Sequence, residues 1–246
     1  MIGALAAASR EWASFAISGT FRIHQERNNV EFSVLMGILA EGLVLTAQIF
    51  VVTLVGALPL GVVVALARMS KFKPLSLIAQ LYISVLRGTP LMLQLMAIMF
   101  GPYYLFGLEM GSDWKFYSCA IGFILNYAAY FGEIYRSGIQ SIPRGQYEAA
   151  SVLGYTRAQT FMKIILPQVI KRILPAMGNE IITLVKDTSL AFVLGIAEMF
   201  SAAKALAARE VSMIPYAIAA LIYWVFCLLI EFILNKVEKK LNYYHD

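Results

Sequence analysis

Two interrupted apolar runs carry the residues best suited to chemistry. Asn179, Glu180, Thr183, Lys186, Asp187 and Thr188 break one of them, and Asn126, Tyr130 and Glu133 break the other. Spacings of three and four residues put Glu180, Thr183 and Asp187 on one helical face with Lys186 beside them, while Asn126, Tyr130 and Glu133 follow i, i+4, i+7. Acids, a cation, amides and hydroxyls together match the ammonium and carboxylate of a zwitterionic solute. A second reading stays open: Glu180, Lys186 and Asp187 neutralise one another or pin helices, and Glu133 with Arg136 is an i, i+3 pair. Either way, charges inside hydrocarbon are costly and belong in a bundle interior. Covalent and metal chemistry find no such footing. His24 and His245 stand near opposite ends, Cys119 and Cys227 have no ligand spacing, and no nucleophile is placed with a base. Gly-x-x-x-x-Gly-Lys-Ser/Thr is absent, so neither enzymatic activity nor a bound cofactor is expected of this chain itself.

The elements that must position these groups are membrane helices. The chain is 60% hydrophobic and 14% charged, against about half and about a quarter in soluble domains. A helix needs roughly 20 apolar residues to cross a bilayer. Charge-poor runs then predict an all-α integral membrane protein with five spans, at 43–67, 87–109, 116–135, 173–196 and 211–230. Cytoplasmic loops carry the Lys and Arg excess. With the N-terminus outside, Arg68, Lys71, Lys73, Arg87, Arg136, Arg144, Arg157, Lys163, Lys171, Arg172, Lys236, Lys239 and Lys240 fall inside, and the C-terminus is cytoplasmic. The net charge of +5 is explained by these membrane-flanking residues and membrane lipid, with no call on nucleic acid. Residues 1–36 place charges within a weakly apolar stretch, unlike a signal peptide, and read as an interfacial segment. Residues 75–86 are too short to cross and lie along the interface until Arg87-Gly88-Thr89-Pro90 turns the chain inward. One domain, 37–241, and a short tail, 242–246, complete the organisation.

The polar segment 141–167 reads as two short cytoplasmic helices. Pro143 and Gly145 close the preceding span, Gly154 stops the first helix, Thr156-Arg157-Ala158-Gln159 forms a capping box for the second, and Pro167 ends the unit. Ala149, Ala150 and Ala158 leave room for a partner, and Tyr147, Leu153, Tyr155 and Phe161 supply apolar anchors. Such a unit suits a groove in another protein, and equally a solvated connector.

Glu148-Ala149-Ala150, three residues, Gly154, nine residues, Ile164, one residue, Leu166-Pro167 resembles the EAA loop of binding-protein-dependent ABC transporter permeases. Arg87-Gly88-Thr89-Pro90-Leu91, 133–139, 140–146 and Lys186-Asp187-Thr188-Ser189-Leu190 are similar to signatures of the polar amino-acid uptake group, and the likeness covers about 37–241. The resemblance implies a type I ABC importer permease in the cytoplasmic (inner) membrane. It implies a second permease subunit, forming a homodimer or heterodimer, and two copies of an ABC ATPase that bind ATP and Mg. It also implies an extracytoplasmic amino-acid-binding protein. Glu148, Ala149, Ala150, Gly154, Tyr155, Arg157 and Pro167 would then couple to the ATPase, and polar or charged amino acids would be the cargo. An ion-coupled secondary transporter is the alternative, against which five spans without an inverted repeat argue.

Overall fold

A computed structural model describes the backbone of residues 2–241 and the side chains of residues 32–240. The tail 242–246, and the side chains of most of the segment read as interfacial, lie outside the described residues. All described elements are helical: α1 (Ile2–Arg68), α2 (Lys73–Gly88), α3 (Leu91–Phe106), α4 (Trp114–Gln140), α5 (Arg144–Val152), α6 (Arg157–Gln159), α7 (Leu166–Asp187), α8 (Met199–Glu210) and α9 (Ile214–Leu241). A π-helical turn, Thr160–Ile165, joins α6 to α7, and a 3-10 stretch, Thr188–Leu194, prolongs α7. The chain is thus helical from Arg157 to Leu194, and it bends by 60° into α8.

By length and apolarity, the described residues hold two spanning helices, Phe32–Arg68 and Ile214–Lys240, or up to four if each bent pair is one span. The first bent pair is α2 with α3, which meet at 110°. Pro90 forces this break: its fixed φ and missing N–H suit the start of α3, and Thr89 before it is extended, with φ −122 and ψ 150. The break falls at the turn expected for 87–90, and the helix that follows is shorter than the expected span to 109: α3 has 16 residues and ends at Phe106, about 24 Å. The fifth expected span also shifts. Val211 turns the chain with a left-handed φ of 47, so α9 begins at Ile214 and runs on to Leu241, with Lys239 and Lys240 at the favourable end of its dipole.

Close contacts fix the helix directions. A Cβ on Gly56 would meet Ile124, and one on Gly61 would meet Phe131 and the Gly132 backbone, so α1 and α4 run the same way. Gly61 and Gly132 face each other, letting the two backbones approach as small residues do between membrane helices. Helix α7 runs against α4, because Gly138 packs on Ile173 while Tyr127 reaches Asp187. Helix α9 runs against α7: Leu234 lies by Gly178 while Tyr223 lies by Lys186. Phe50, Leu95, Phe123, Phe131, Leu184 and Val185 fill the main core; a second core joins Leu39 to Met199, Leu206 and Ala219. Helix α4 has 27 residues and buries Phe123, Asn126, Tyr127 and Phe131, so its polar groups face protein.

Candidate functional site: the coupling segment and the polar face

The segment after α4 is built by short-range hydrogen bonds. Helix α5 ends in a Schellman motif: Gly154 has φ +77, its N–H donates to the Ser151 carbonyl at 3.0 Å, and Tyr155 N–H donates to Ala150 at 3.0 Å. Only there does the turn demand a left-handed residue. The next helix starts with the expected capping box: Gln159 N–H donates to Thr156 Oγ1 at 3.3 Å, and Thr156 N–H to Gln159 Oε1 at 3.0 Å.

Three expectations for this segment need correction. Pro167 does not end the unit. Its ring would crowd the Lys163 carbonyl and it has no N–H to give, but the π-helical turn widens the ladder there, so Leu166 N–H bonds to Phe161 and Pro167 falls in the first turn of α7. Gln168 Nε2 takes up the Ile164 carbonyl at 2.8 Å. Ala150 is not open to a partner; it is 1% exposed and faces the protein. Gly145 does not close the preceding span: α4 ends at Gln140, and Gly145 lies in the first turn of α5.

What remains outside is a docking-shaped surface. Glu148, Ala149, Gly154, Tyr155, Arg157 and Pro167 are exposed, as are Val152 at 88%, Leu153 at 73% and Met162 at 60%. Phe161 turns inward with Ile142, Ile165 and Val169. Arg172 Nη1 donates to the Ser141 carbonyl at 2.6 Å, binding the start of α7 to the end of α4.

At mid-length of α4 the polar groups separate into distinct sets. Tyr127 donates to Asp187 Oδ2 at 2.8 Å, and Thr188, fully buried, donates to the Val185 carbonyl at 2.6 Å. Asn126 is also committed: it donates to Gln94 Oε1 at 2.9 Å and the Leu86 carbonyl at 3.2 Å, while Gln94 Nε2 reaches Leu86 and Thr89. These amides clip the α2–α3 bend onto α4. Glu133 pairs with Arg136 through both carboxylate oxygens. The Thr183 hydroxyl donates to the Asn179 backbone carbonyl at 2.9 Å, next to half-buried Glu180. Lys186 turns away from this face, toward α8 and α9.

Two residues escaped the sequence reading. Arg87 lies over the Tyr130 ring at 5.1 Å and attracts Glu180 and Glu133 through space. Tyr130 stands about 15 Å of helix before the end of α4, so Arg87 links that level to Glu133, which Arg68 and Arg136 also attract. Its signal was the hinge itself: a cation directly before Gly88-Thr89-Pro90 follows the chain to the bend. Glu198 is fully buried and caps α8, accepting from Phe200 and Ser201 N–H at 2.7 Å each and from Tyr223 at 3.1 Å. Thr46 Oγ1 accepts from Met199 N–H at 3.3 Å in the same junction.

A family model described as "Binding-protein-dependent transport system inner membrane component" matches residues 57–243. The L-cystine transport system permease protein TcyB of Bacillus subtilis is 38% identical over 209 residues, covering 84% of this chain and 88% of that protein. The arginine transport system permease protein ArtQ of the same organism is 42% identical, covering 83% of this chain and 92% of that one. A crystal structure of an amino acid ABC transporter with histidines superposes with a TM-score of 0.78 at 34% identity, over 86% of this chain and 97% of that chain. The MetNI methionine ABC transporter, in an inward-facing conformation, gives 0.62 at 17% identity, over 85% and 96%, a likeness of fold.

Proposed function

From the premise that this chain belongs to the family of binding-protein-dependent transport system inner membrane components, we propose how its parts divide the labour. The chain is the transmembrane subunit of an amino-acid ABC importer, with the all-helical type I permease fold, and coupling to an ATPase follows from the family. We infer five crossings with the N-terminus outside and the C-terminus in the cytoplasm of a cell whose inner membrane holds the complex. Helix directions support this: α1 and α4 run together, so the bent α2–α3 pair carries the chain back between them. Arg68, Lys71, Lys73, Arg144, Arg157, Lys163 and Arg172 gather where α1 ends and α7 begins, as a cytoplasmic face requires.

On this reading Glu148, Ala149, Gly154, Tyr155, Arg157 and Pro167 meet the ATPase, and Ala150 supports them from within. The ATPase, present twice, binds ATP and Mg and supplies the chemistry. The observation that carries the proposal is continuity: an unbroken helix joins the docking segment at Arg157 to Asn179, Glu180 and Thr183. Rigid elements transmit displacement, so a push on the segment reaches the polar face. There Arg87 and Glu180 offer opposite charges to a zwitterion, with Tyr130, Asn179 and Thr183 beside them. Asn126 and Asp187 hold α4 to its neighbours, while Glu133 and Thr188 bond within their own helices. A second permease subunit and an extracytoplasmic amino-acid-binding protein complete the assembly. A Leu153→Cys variant tests the arrangement. It should react with a membrane-impermeant maleimide only when the cytoplasmic face is open, and the assembled ATPase should protect it; labelling from outside overturns the orientation.

A further inference from the structure

Helix α2 meets three environments at once. Ala79 and Ile83 are buried, Ile83 against Val64 of α1 and Ala129 of α4, with Tyr82 and Leu86 beside them. Lys73, Gln80, Ser84 and Arg87, spaced i, i+7, i+11, i+14, form an exposed polar stripe. Leu77, Ile78, Leu81 and Val85 form an exposed apolar one, each between 49% and 66% accessible. Helix α3 runs against α4, since Gln94 meets Asn126 while Met99 meets Trp114, and α2 is bent from α3 by 110°. It therefore lies crosswise to the helices that cross the membrane. An amphipathic helix in that attitude turns its apolar side to hydrocarbon and its polar side to water.

The turn that enters α2 adds unmatched charge. Arg68 donates to Ser76 Oγ at 3.1 Å while Ser76 donates to the Arg68 carbonyl at 2.8 Å, and Glu133, which attracts Arg68, is held by Arg136. Lys71 and Lys73 are exposed and make no hydrogen bond or ion pair among the described residues. Phe72 between them is 65% exposed. Each ammonium offers three donors to an anion. A small soluble anion would meet the two charges and leave the apolar stripe bare. A bilayer-spanning helix would cross that stripe rather than follow it. An acidic phospholipid covers both at once, with its phosphate at the lysines and its chains along the stripe.

We propose that the start of α2 is a binding site for an acidic phospholipid of the cytoplasmic leaflet, whose phosphate pairs with the Lys71 and Lys73 ammoniums while its chains lie on Phe72, Leu77, Ile78 and Leu81. The lipid fastens the near end of the helix whose far end carries Arg87. The choice of leaflet rests on the orientation proposed above; the site itself rests only on the chain being membrane-embedded.

The test places the assembled complex in vesicles that carry photoactivatable phosphatidylglycerol or phosphatidylcholine in both leaflets, and maps the cross-linked peptides by mass spectrometry. Phosphatidylglycerol should label residues 69–86 in preference to phosphatidylcholine. Lys71→Gln combined with Lys73→Gln should lower that preference by about fivefold for each lysine, about thirtyfold for the pair. Lys71→Arg with Lys73→Arg should keep it. In the unaltered complex, raised ionic strength should erode labelling by phosphatidylglycerol and spare labelling by phosphatidylcholine; this response decides the matter should the paired Gln variant fail to assemble. Equal labelling by the two lipids, labelling by neither, or a preference that survives the Gln pair or high salt overturns the proposal. With each lipid in both leaflets the readout does not depend on orientation, which the Leu153→Cys labelling tests by itself.

Discussion

Replacing Gly154 by Val should separate ATP hydrolysis from transport. The residue has φ +77, and nothing lies within 4 Å of the position a Cβ would take. The cost is therefore conformational rather than steric with respect to neighbours. An L-residue in the left-handed region pays about 1–2 kcal/mol, with a β-branched side chain at the upper end. Opening the turn to escape that strain sacrifices the Gly154→Ser151 and Tyr155→Ala150 bonds, each 3.0 Å, at about 0.5–1.5 kcal/mol apiece. The two costs are similar, so the variant divides between a strained turn and an open one. About 1.4 kcal/mol is tenfold in population. Because the flanking Leu153 and Tyr155 are exposed, no packing is lost and the fall in global stability should stay within about the same 1–2 kcal/mol. The assay is a complex reconstituted with its ATPase, measuring uptake and hydrolysis at matched insertion. Uptake should fall at least about twofold, the share of molecules with an open turn, and hydrolysis much less. Gly154→Asn, which tolerates the left-handed region better, should fall between. Near-normal uptake by the Val variant refutes the reasoning, and so does an Asn variant no better than Val.

Three further changes probe the packing and the polar face. A Cβ on Gly138 would collide with Ile173 Cγ2, so Gly138→Ala should destabilise by about 1–3 kcal/mol, and adding Ile173→Ala should restore part of the loss; thermal unfolding in detergent reads both. Tyr127→Phe removes the 2.8 Å bond to Asp187 and should cost only about 1 kcal/mol, because unfolded membrane helices find other partners; a loss several times larger in the same melting assay contradicts this. Arg87→Gln, at a partly open position beside Tyr130, should leave insertion intact and reduce uptake at least tenfold, checked with proteoliposomes at equal protein content; normal uptake removes Arg87 from the path.

How far the sequence could be read depended on the range of the forces involved. The Gly154 stop and the Thr156–Gln159 box were legible because a cap is decided within about five residues. Apolar runs located the helices for the same reason. Depth was harder. Arg87 counts as a flanking charge in one dimension, yet the 110° bend and the Asn126–Gln94 clip carry it to the level of Tyr130. Pro167 looked like a terminator because a proline normally breaks the ladder, and only the π-helical turn before it shows how the break is absorbed. Periodicity grouped Lys186 with Glu180 and Thr183, but a helix presents adjacent faces to different neighbours. Packing against α4 on one side and α9 on the other separates them. Glu198 carried no pattern at all, since its partners come from α8 and α9.

The central claim is that this chain is a pathway driven by a separate ATPase through the segment after α4. Its most direct test is solute uptake into vesicles holding the permease with its ATPase and binding protein, under three conditions: ATP, no ATP, and an ion gradient alone. The account predicts accumulation with ATP only, abolished when the ATPase is omitted. Accumulation driven by the gradient without any ATPase would contradict it.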